Sequence, residues 1–496
     1  MVRIANCSGF FGDRLSAARE MVEGGPIDVL TGDWLAELTM LVLARQRLKH
    51  GSGSGYARTF LTQMEQVLGT CLDRGITVVS NAGGLDPEGC AAALHELSER
   101  LGLHPRIAFV DGDDLMPRLD ELAAAGERLV NLDTGEEFAS VGLPALTANA
   151  YLGGFGIKAA LDAGADVVVT GRVTDAALVV GPAAHAFGWG ADDLDALAGA
   201  VVAGHVIECG TQATGGNYAF FQRVPGLEHP GFPIAEVARD GSSTITKHPG
   251  SGGAVTVGTV TAQLLYEVGG PAYPNPDVTA RFDSVELVDG GPDRVHIIGV
   301  RGEAPPVTAK VALNYLGGFR NTMTLVLTGP DIEAKAELAE RTLWARTPRE
   351  AYDEVDVQLV RGDRPDPRTA GEAQAHLRFT VKDRDPAKVG RAFSNLLVEI
   401  GLGTYPGYFP TTVPGEASPY GVYWPTSVPT TTITQRVVLD GLELARVPPT
   451  SSPVIMHSSP LAEPGPDARE GQSVHDHGRG SVETGPGGGG GSAGTG

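Results

Sequence analysis

Short apolar runs alternate with amphipathic segments along residues 1–222, and this alternation constrains the fold more than any other feature. Runs such as "RIAFVDGDD" and "ADVVVTGRV" are rich in β-branched residues, and segments with helical spacing such as "DPEGCAAALHELSERLG" separate them. Strands that are apolar on both faces and alternate with helices indicate a parallel sheet with helical crossovers. We therefore predict a Rossmann-like α/β domain over residues 1–222.

The pattern changes from residue 223, where Val- and Thr-rich runs are separated by glycine turns and helical segments follow. We predict a smaller α+β domain over residues 223–446. Residues 447–496 are rich in Pro, Ser and Gly and end in "GPGGGGGSAGTG". This stretch lacks the apolar residues that a core needs, so we expect a disordered C-terminal tail.

The charge balance excludes two classes of partner. The chain has 38 Lys and Arg against 60 Asp and Glu, a formal net charge of −22. Such a surface repels nucleic-acid phosphates and acidic lipid headgroups, so we expect neither nucleic acid nor a membrane as partner.

The 4 cysteines form no C-x-x-C pair, which fits a reducing compartment. We expect a cytoplasmic protein, with a homo-oligomer as the default assembly.

Polar residues cluster directly after the predicted strands. The carboxyl ends of parallel strands meet at one edge of a sheet, where ligands bind. Arg172 suits a carboxylate or phosphate in bidentate geometry, and Asp175 is a candidate for orienting it or acting as a base. The alternative is an Arg–Asp pair that caps a helix. After an earlier strand, Asn81, Gly83 and Gly84 are expected to line the same pocket.

The stretch "AGHVIECGTQATGGN" places His205 and Glu208 one turn apart on a predicted helix. Side chains with this spacing share a helix face, which serves acid–base catalysis as well as metal ligation. No third ligand is evident from the spacing, so metal binding is the minority interpretation, and a satisfied polar helix end is the other alternative. Gly215, Gly216 and Asn217 follow, and we expect them to contact a ligand through backbone and amide groups.

A dinucleotide-binding pattern is present but is poorly placed. Gly154-x-Gly156-x-x-Ala159 is followed by Asp175 at about the fingerprint spacing. The fingerprint belongs to the first strand–helix turn of a sheet, whereas this copy comes after several such units. A glycine turn that opens a helix explains it better, so an NAD(P)-dependent oxidoreductase is the least favoured function.

Many linked blocks of this sequence resemble the acyclic terpene utilisation (AtuA) family. The blocks include "ANCSGFFGDR", "LTGDWLAELTM", "VVSNAGGLDP", "NAYLGGFGI", "VVVTGRVTDAALVVGP" and "AGHVIECGTQATGGN". The resemblance implies a role beside enzymes that degrade acyclic isoprenoid or branched acids as coenzyme A thioesters. Some members of that family carry an extra small ferredoxin-like domain, which we expect here, if at all, on a separate polypeptide.

These observations lead to an expected function. We predict an acyl-CoA-directed hydratase or related lyase, with Glu208 and His205 as acid and base, Asp175 in support and Arg172 holding a substrate carboxylate. We expect no cofactor beyond the coenzyme A of the substrate, and metal binding near His205 and Glu208 stays the minority interpretation. The alternative from another class is a non-catalytic acyl-CoA-binding or partner subunit of a catabolic complex.

Overall fold

The structure is a computed structural model that describes residues 1–51 and 53–449. Apart from residues 447–449, the predicted tail over 447–496 lies outside the described residues. The strands, numbered β1 to β20 in chain order, are Val2–Asn6, Val29–Gly32, Thr77–Ser80, Ile107–Asp111, Ala145–Ala150, Val167–Thr170, Pro233–Val237, Ser243–Lys247, Ala272–Pro274, Thr279–Arg281, Glu286–Asp289, Val295–Ile298, Arg301–Glu303, Thr308–Thr328, Glu354–Arg361, Gln374–Asp383, Phe409–Pro410, Ser418–Pro429, Gln435–Leu439 and Leu442–Val447.

The helices are numbered α1 to α12 in the same way. They are Ala17–Glu23, Glu37–His50, Arg58–Arg74, Pro87–Leu101, Leu119–Ala124, Phe155–Asp162, Ala177–Phe187, Leu194–Ile207, Val257–Leu264, Ile332–Trp344, Pro386–Val389 and Arg391–Glu399. Within the described ranges, no helix has both the length and the apolar character that crossing a membrane requires.

The largest sheet is mixed. In the described part of the chain it has 11 strands in the order β11-β12-β8-β7-β1-β2-β3-β6-β4-β19-β20. The strands β1, β2, β3, β6 and β4 pair in parallel, and antiparallel strands flank them on both sides. The predicted α/β class is confirmed at this level. A Rossmann-like parallel architecture stays a prediction, because antiparallel strands extend the sheet at each side.

Strands from both predicted domains share this sheet. The strand β7 pairs with β1 in a register that sets Val2 opposite Val237, and β19 pairs with β4. The described residues, 1–51 and 53–449, belong to one compact unit. The large sheet therefore includes strands from both sides of residue 222, and the predicted division into two domains stays a prediction.

A second sheet is built around β14, which is 21 residues long. Its first half pairs with β5 and β18, and its second half pairs with β16, which in turn pairs with β15. The sequence favoured strands joined by hairpins here. Instead, the glycine pair Gly317–Gly318 forms a bulge, with φ of +136° at Gly318, and the chain runs on in the same direction.

The Val- and Thr-rich run "AVTVGTV" also differs from expectation, because its last four residues begin the helix α9 rather than forming a strand. The side chain of Thr256 accepts a hydrogen bond from the backbone N–H of Thr259, and the Thr259 hydroxyl accepts one from the backbone N–H of Thr256. This reciprocal pair satisfies donors at the helix start. Local capping therefore outweighs the β preference of the side chains.

We expect the apolar face between the large sheet and α3 to dominate the stability of the N-terminal half. Phe60 on α3 is 0% exposed and packs edge-to-face on Trp34 at 5.1 Å between ring centroids. Phe60→Ala should lower the free energy of unfolding by about 3–5 kcal/mol, measured by urea denaturation. Leu38→Ala is the control, because Leu38 is 66% exposed and should change it by less than about 0.5 kcal/mol. Equal losses would contradict this assignment of the core.

Candidate functional site

The candidate site lies where neighbouring parallel strands of the large sheet end. The buried polar side chains at these ends are Asn6 on β1, Asp33 after β2, Asn81 after β3 and Arg172 after β6. Parallel neighbours end at the same edge, which gathers these side chains together. This arrangement matches the edge that the sequence predicted for Asn81 and Arg172.

Asn81 holds Asp33 in place. Its Nδ2 donates to Oδ1 of Asp33 at 2.6 Å, and the backbone N–H of Leu35 donates to the same oxygen at 2.9 Å. The amide oxygen of Asn81 accepts from the backbone N–H of Trp34 at 2.8 Å. Asn81 therefore fixes the loop after β2, and its predicted contact with a substrate stays a prediction.

Arg172 is a buried anchor, 2% exposed. Its Nη1 donates to Oδ1 of Asp175 at 2.5 Å and to the backbone oxygen of Leu35 at 3.1 Å. Its guanidinium lies over the ring of Tyr151, 4.3 Å from the centroid, and its Nε has no hydrogen-bond partner among the described residues. The Arg–Asp pair that the sequence suggested is therefore formed, and the Nε–H is left without a protein acceptor.

The end of α8 is fastened to the end of β1. Nδ2 of Asn6 donates to the backbone oxygens of Ile207 at 2.5 Å and Glu208 at 2.9 Å. Gly9 packs on the turn that follows, where an added Cβ would lie 2.5 Å from the carbonyl carbon of Cys209. These contacts bring His205 and Glu208 from α8 to the sheet edge.

His205 and Glu208 face each other in a buried setting. Nδ1 of His205 lies 3.3 Å from Oε1 of Glu208, although neither ring nitrogen makes a well-aligned hydrogen bond within the described ranges. Burial opposes a charged His205, but the carboxylate of Glu208 outweighs it and the pKa of His205 is raised. The ring centroids of Tyr273 and Phe282 each lie 5.4 Å from the centroid of the imidazole, and both rings pack against it.

Asp33, Asp175 and Glu208 form what we call the carboxyl cluster. Burial raises the pKa of Asp33 well above its ordinary value, and the nearby Asp175 adds to the rise. Burial also raises the pKa of Glu208 to about 7; His205 opposes this shift and Asp175 adds to it. Asp175 thus acts on both neighbours while it pairs with Arg172. Burial thus favours the protonated form of both Asp33 and Glu208, and carboxyl groups with displaced pKa values are common at functional sites.

The predicted glycines divide between two places. Gly83 lies beside the end of β6, since a Cβ there would be 2.5 Å from the backbone oxygen of Thr170, and Gly84 follows with φ of +54°. Gly215 instead packs against Val224, Gly216 packs against the backbone of Thr211, and Nδ2 of Asn217 donates to Gln263 at 3.4 Å. The contacts described for Gly215, Gly216 and Asn217 do not join them to the carboxyl cluster.

The dinucleotide-like pattern opens the helix α6, and protein side chains occupy its amides. The backbone N–H of Gly154 donates to Asp277 at 2.6 Å, and that of Gly156 donates to Oε1 of Gln435 at 3.1 Å. A pyrophosphate binds through free amides at such a helix start. These positions have none to offer, which favours the glycine-turn interpretation.

Sequence reasoning missed the aromatic side of the site. Tyr151 lies under Arg172 and donates to Oε1 of Glu37 at 2.8 Å. The sequence signal that could have identified it is its position directly after the strand β5. Tyr273 and Phe282 come from the small sheet β9, β10 and β13 and its edge. No motif marks either of them.

In residues 1–51 and 53–449, no group of three or more His, Cys, Asp or Glu side chains is arranged to hold a metal ion.

Comparison with known proteins gives one match. A family model described as "Acyclic terpene utilisation family protein AtuA" matches residues 2–439. No curated protein and no solved structure matches the chain. Because the family match spans most of the sequence, the chain belongs to the acyclic terpene utilisation AtuA family.

The raised pKa of Glu208 predicts how stability depends on pH. Folding favours the protonated carboxyl, so this contribution is present in acid and is lost as the pH rises through about 7. We expect the melting temperature of the native protein to fall between about pH 5 and about pH 8 more steeply than that of Glu208→Gln. Glu65→Gln is the control, because Glu65 is exposed on α3. Parallel pH curves for the native protein and Glu208→Gln would refute a buried, titrating Glu208.

Proposed function

We propose that this member of the AtuA family is an acyl-CoA-directed hydratase or related lyase in the degradation of acyclic terpenoid or branched-chain acids. The observation that carries the proposal is the buried Glu208, a carboxyl with a pKa of about 7 beside the Asp175 that Arg172 holds. General acid–base catalysis is most effective when the pKa of the catalytic group lies near the working pH. The family points to branched or isoprenoid carbon chains.

In this proposal each side chain has a role that its contacts support. Glu208 exchanges a proton with the substrate, Asp175 exchanges one with water, and His205 orients Glu208 and tunes its proton affinity. Arg172 keeps Asp175 in place, and its free Nε is the expected contact for a polar substrate group. The proposal needs no cofactor beyond coenzyme A. We also propose that the protein is a cytoplasmic homo-oligomer, with a separate small ferredoxin-fold polypeptide as its candidate partner.

Ligand-induced stabilisation tests the substrate class. We expect a branched acyl-CoA to raise the melting temperature, while free CoA raises it less and NADPH leaves it unchanged. A ligand at 100 times its dissociation constant adds roughly 2.7 kcal/mol, which corresponds to a few degrees. A shift with NADPH alone would favour an oxidoreductase. No shift with any of these ligands would favour a partner subunit, to be sought by affinity purification.

Turnover by Glu208→Gln tests the catalytic assignment. Loss of a general acid should lower kcat by about 10²- to 10⁴-fold, while the stabilisation by acyl-CoA persists because the amide keeps the shape of the side chain. The exposed Glu65→Gln should keep full activity. Undiminished turnover in Glu208→Gln would remove Glu208 from the mechanism. Tight binding by the native protein without any turnover would support the non-catalytic alternative.

A further inference from the structure

The helix α8 ends on carbonyl groups that the helix itself does not satisfy. The last C=O groups of an α-helix have no intrahelical partner, so donors must come from elsewhere. Nδ2 of Asn6 donates to the backbone oxygen of Ile207 at 2.5 Å and to that of Glu208 at 2.9 Å. Ile207 is the last residue of α8 and Glu208 follows it directly. One side-chain amide therefore serves two of the carbonyls at this helix end.

The neighbours of the Asn6 amide fix its orientation. The backbone N–H of Ser8 donates to Oδ1 of Asn6 at 2.7 Å, and a backbone N–H can only donate. The two carbonyl oxygens on the other side can only accept, so they require the NH₂ group. Asn6 is 2% exposed. A carboxylate or an apolar side chain of similar shape at this position could not make all three contacts.

Asn6 belongs to a central strand of the large sheet. The strand β1 lies between β2 and β7, and Asn6 is set opposite Thr31 of β2. The backbone N–H of Cys7 donates to the backbone oxygen of Thr31 at 2.8 Å. Farther along the same segment, a Cβ on Gly9 would lie 2.5 Å from the carbonyl carbon of Cys209. The end of α8 is thus held at two points of one short segment that is itself part of the sheet.

The backbone that Asn6 holds carries the side chain of Glu208. Glu208 is 6% exposed, and its Oε1 lies 3.3 Å from Nδ1 of His205. His205 lies inside α8, whereas Glu208 follows its last residue. The two side chains therefore keep this separation only while the backbone of residues 207–208 stays in place, and the contacts of Asn6 keep it there.

The titratable groups that act on the Glu208 carboxyl come from separate elements. They are His205 on α8, the adjacent Cys209, Asp175 after β6, Glu267 after α9 and Tyr273 on β9. Burial is the largest cause of the raised pKa of Glu208; Asp175 and Glu267 add to the rise, and His205 opposes it. A Glu208 side chain that moved into water would lose the effect of burial, and its pKa would fall toward the ordinary value.

We propose that Asn6 is a positioning residue whose amide holds the last backbone carbonyls of α8 and thereby keeps the Glu208 carboxyl buried beside His205. The inference rests on the proposed function for the part that Glu208 plays in catalysis. Asn6 itself takes no part in the chemistry, because its amide is engaged with backbone groups on both sides.

The pH dependence of stability tests this role without requiring turnover. Asn6→Leu keeps the approximate shape of the side chain and removes its donors. Because Glu208 then leaves its buried place, the fall in melting temperature between about pH 5 and about pH 8 should flatten, and most of the difference in slope between the native protein and Glu208→Gln should disappear. The double variant Asn6→Leu/Glu208→Gln should have the slope of Glu208→Gln, because the titrating group is then absent.

Asn321 in the second sheet provides a matched control. It is 8% exposed, and its Nδ2 also donates to two backbone oxygens, those of Gly390 at 3.3 Å and Gly415 at 3.1 Å. Asn321→Leu should lower the melting temperature by a similar amount at every pH and leave the slope unchanged. An Asn6→Leu protein that behaves in the same way would overturn the positioning role. Asn6→Ser retains one donor and is the milder variant if Asn6→Leu does not fold; it should flatten the slope to a smaller extent.

Turnover of a branched acyl-CoA such as dimethylacryloyl-CoA separates this inference from the function on which it rests. Asn6→Leu should lower kcat about 100-fold, the loss expected when a catalytic group is displaced by about 1 Å, and Asn321→Leu should leave kcat unchanged. A flattened pH slope in Asn6→Leu beside a native protein without turnover would support the positioning of Glu208 and count against the hydratase. Native turnover that Asn6→Leu retains in full, with an unchanged slope, would overturn the positioning role and leave the hydratase proposal standing.

Discussion

The buried guanidinium of Arg172 is the contact on which the rest of the site depends. It binds Asp175 and the backbone of Leu35, and it stacks on Tyr151. In this way one side chain joins the loops after β2 and β6 to the loop after β5 in the other sheet. An ion pair removed from water is costly to break, because the remaining charge stays buried and unpaired. The site is therefore held by a contact that tolerates little change.

Burying the carboxyl groups of the carboxyl cluster lowers the stability of the fold, and packing in other parts of the structure offsets this loss. Asp33 and Glu208 are buried where the charged form of a carboxyl group is disfavoured. Acids with displaced pKa values in such places are common at functional sites. The chain belongs to the acyclic terpene utilisation AtuA family, and the rings of Tyr273 and Phe282 pack on His205 at one side of this site.

Local sequence rules predicted the part of the site that depends on strand ends and helix spacing. Arg172 and Asn81 follow parallel strands, His205 lies in the last turn of α8 and Glu208 directly follows that helix, so the sequence pattern alone predicts where they lie. Pairing between distant segments is not encoded in such patterns. Antiparallel β7 joins β1 across more than 200 residues of chain, and Tyr273 reaches the site from a separate small sheet. A local contact changed another prediction. Capping by Thr256 starts a helix in a run whose side chains favour a strand.

The strand β14 runs through two apolar cores. Val311 and Leu313 in its first half belong to the core of the large sheet, and Met323 and Leu325 in its second half belong to the core formed with β16 and α12. Because β14 is one continuous strand, its first half cannot leave one core without pulling on its second half in the other core. The two cores are thus coupled mechanically, and the protein should lose both in a single cooperative transition. Insertions at the bulge of Gly318 would be the most direct way to decouple them.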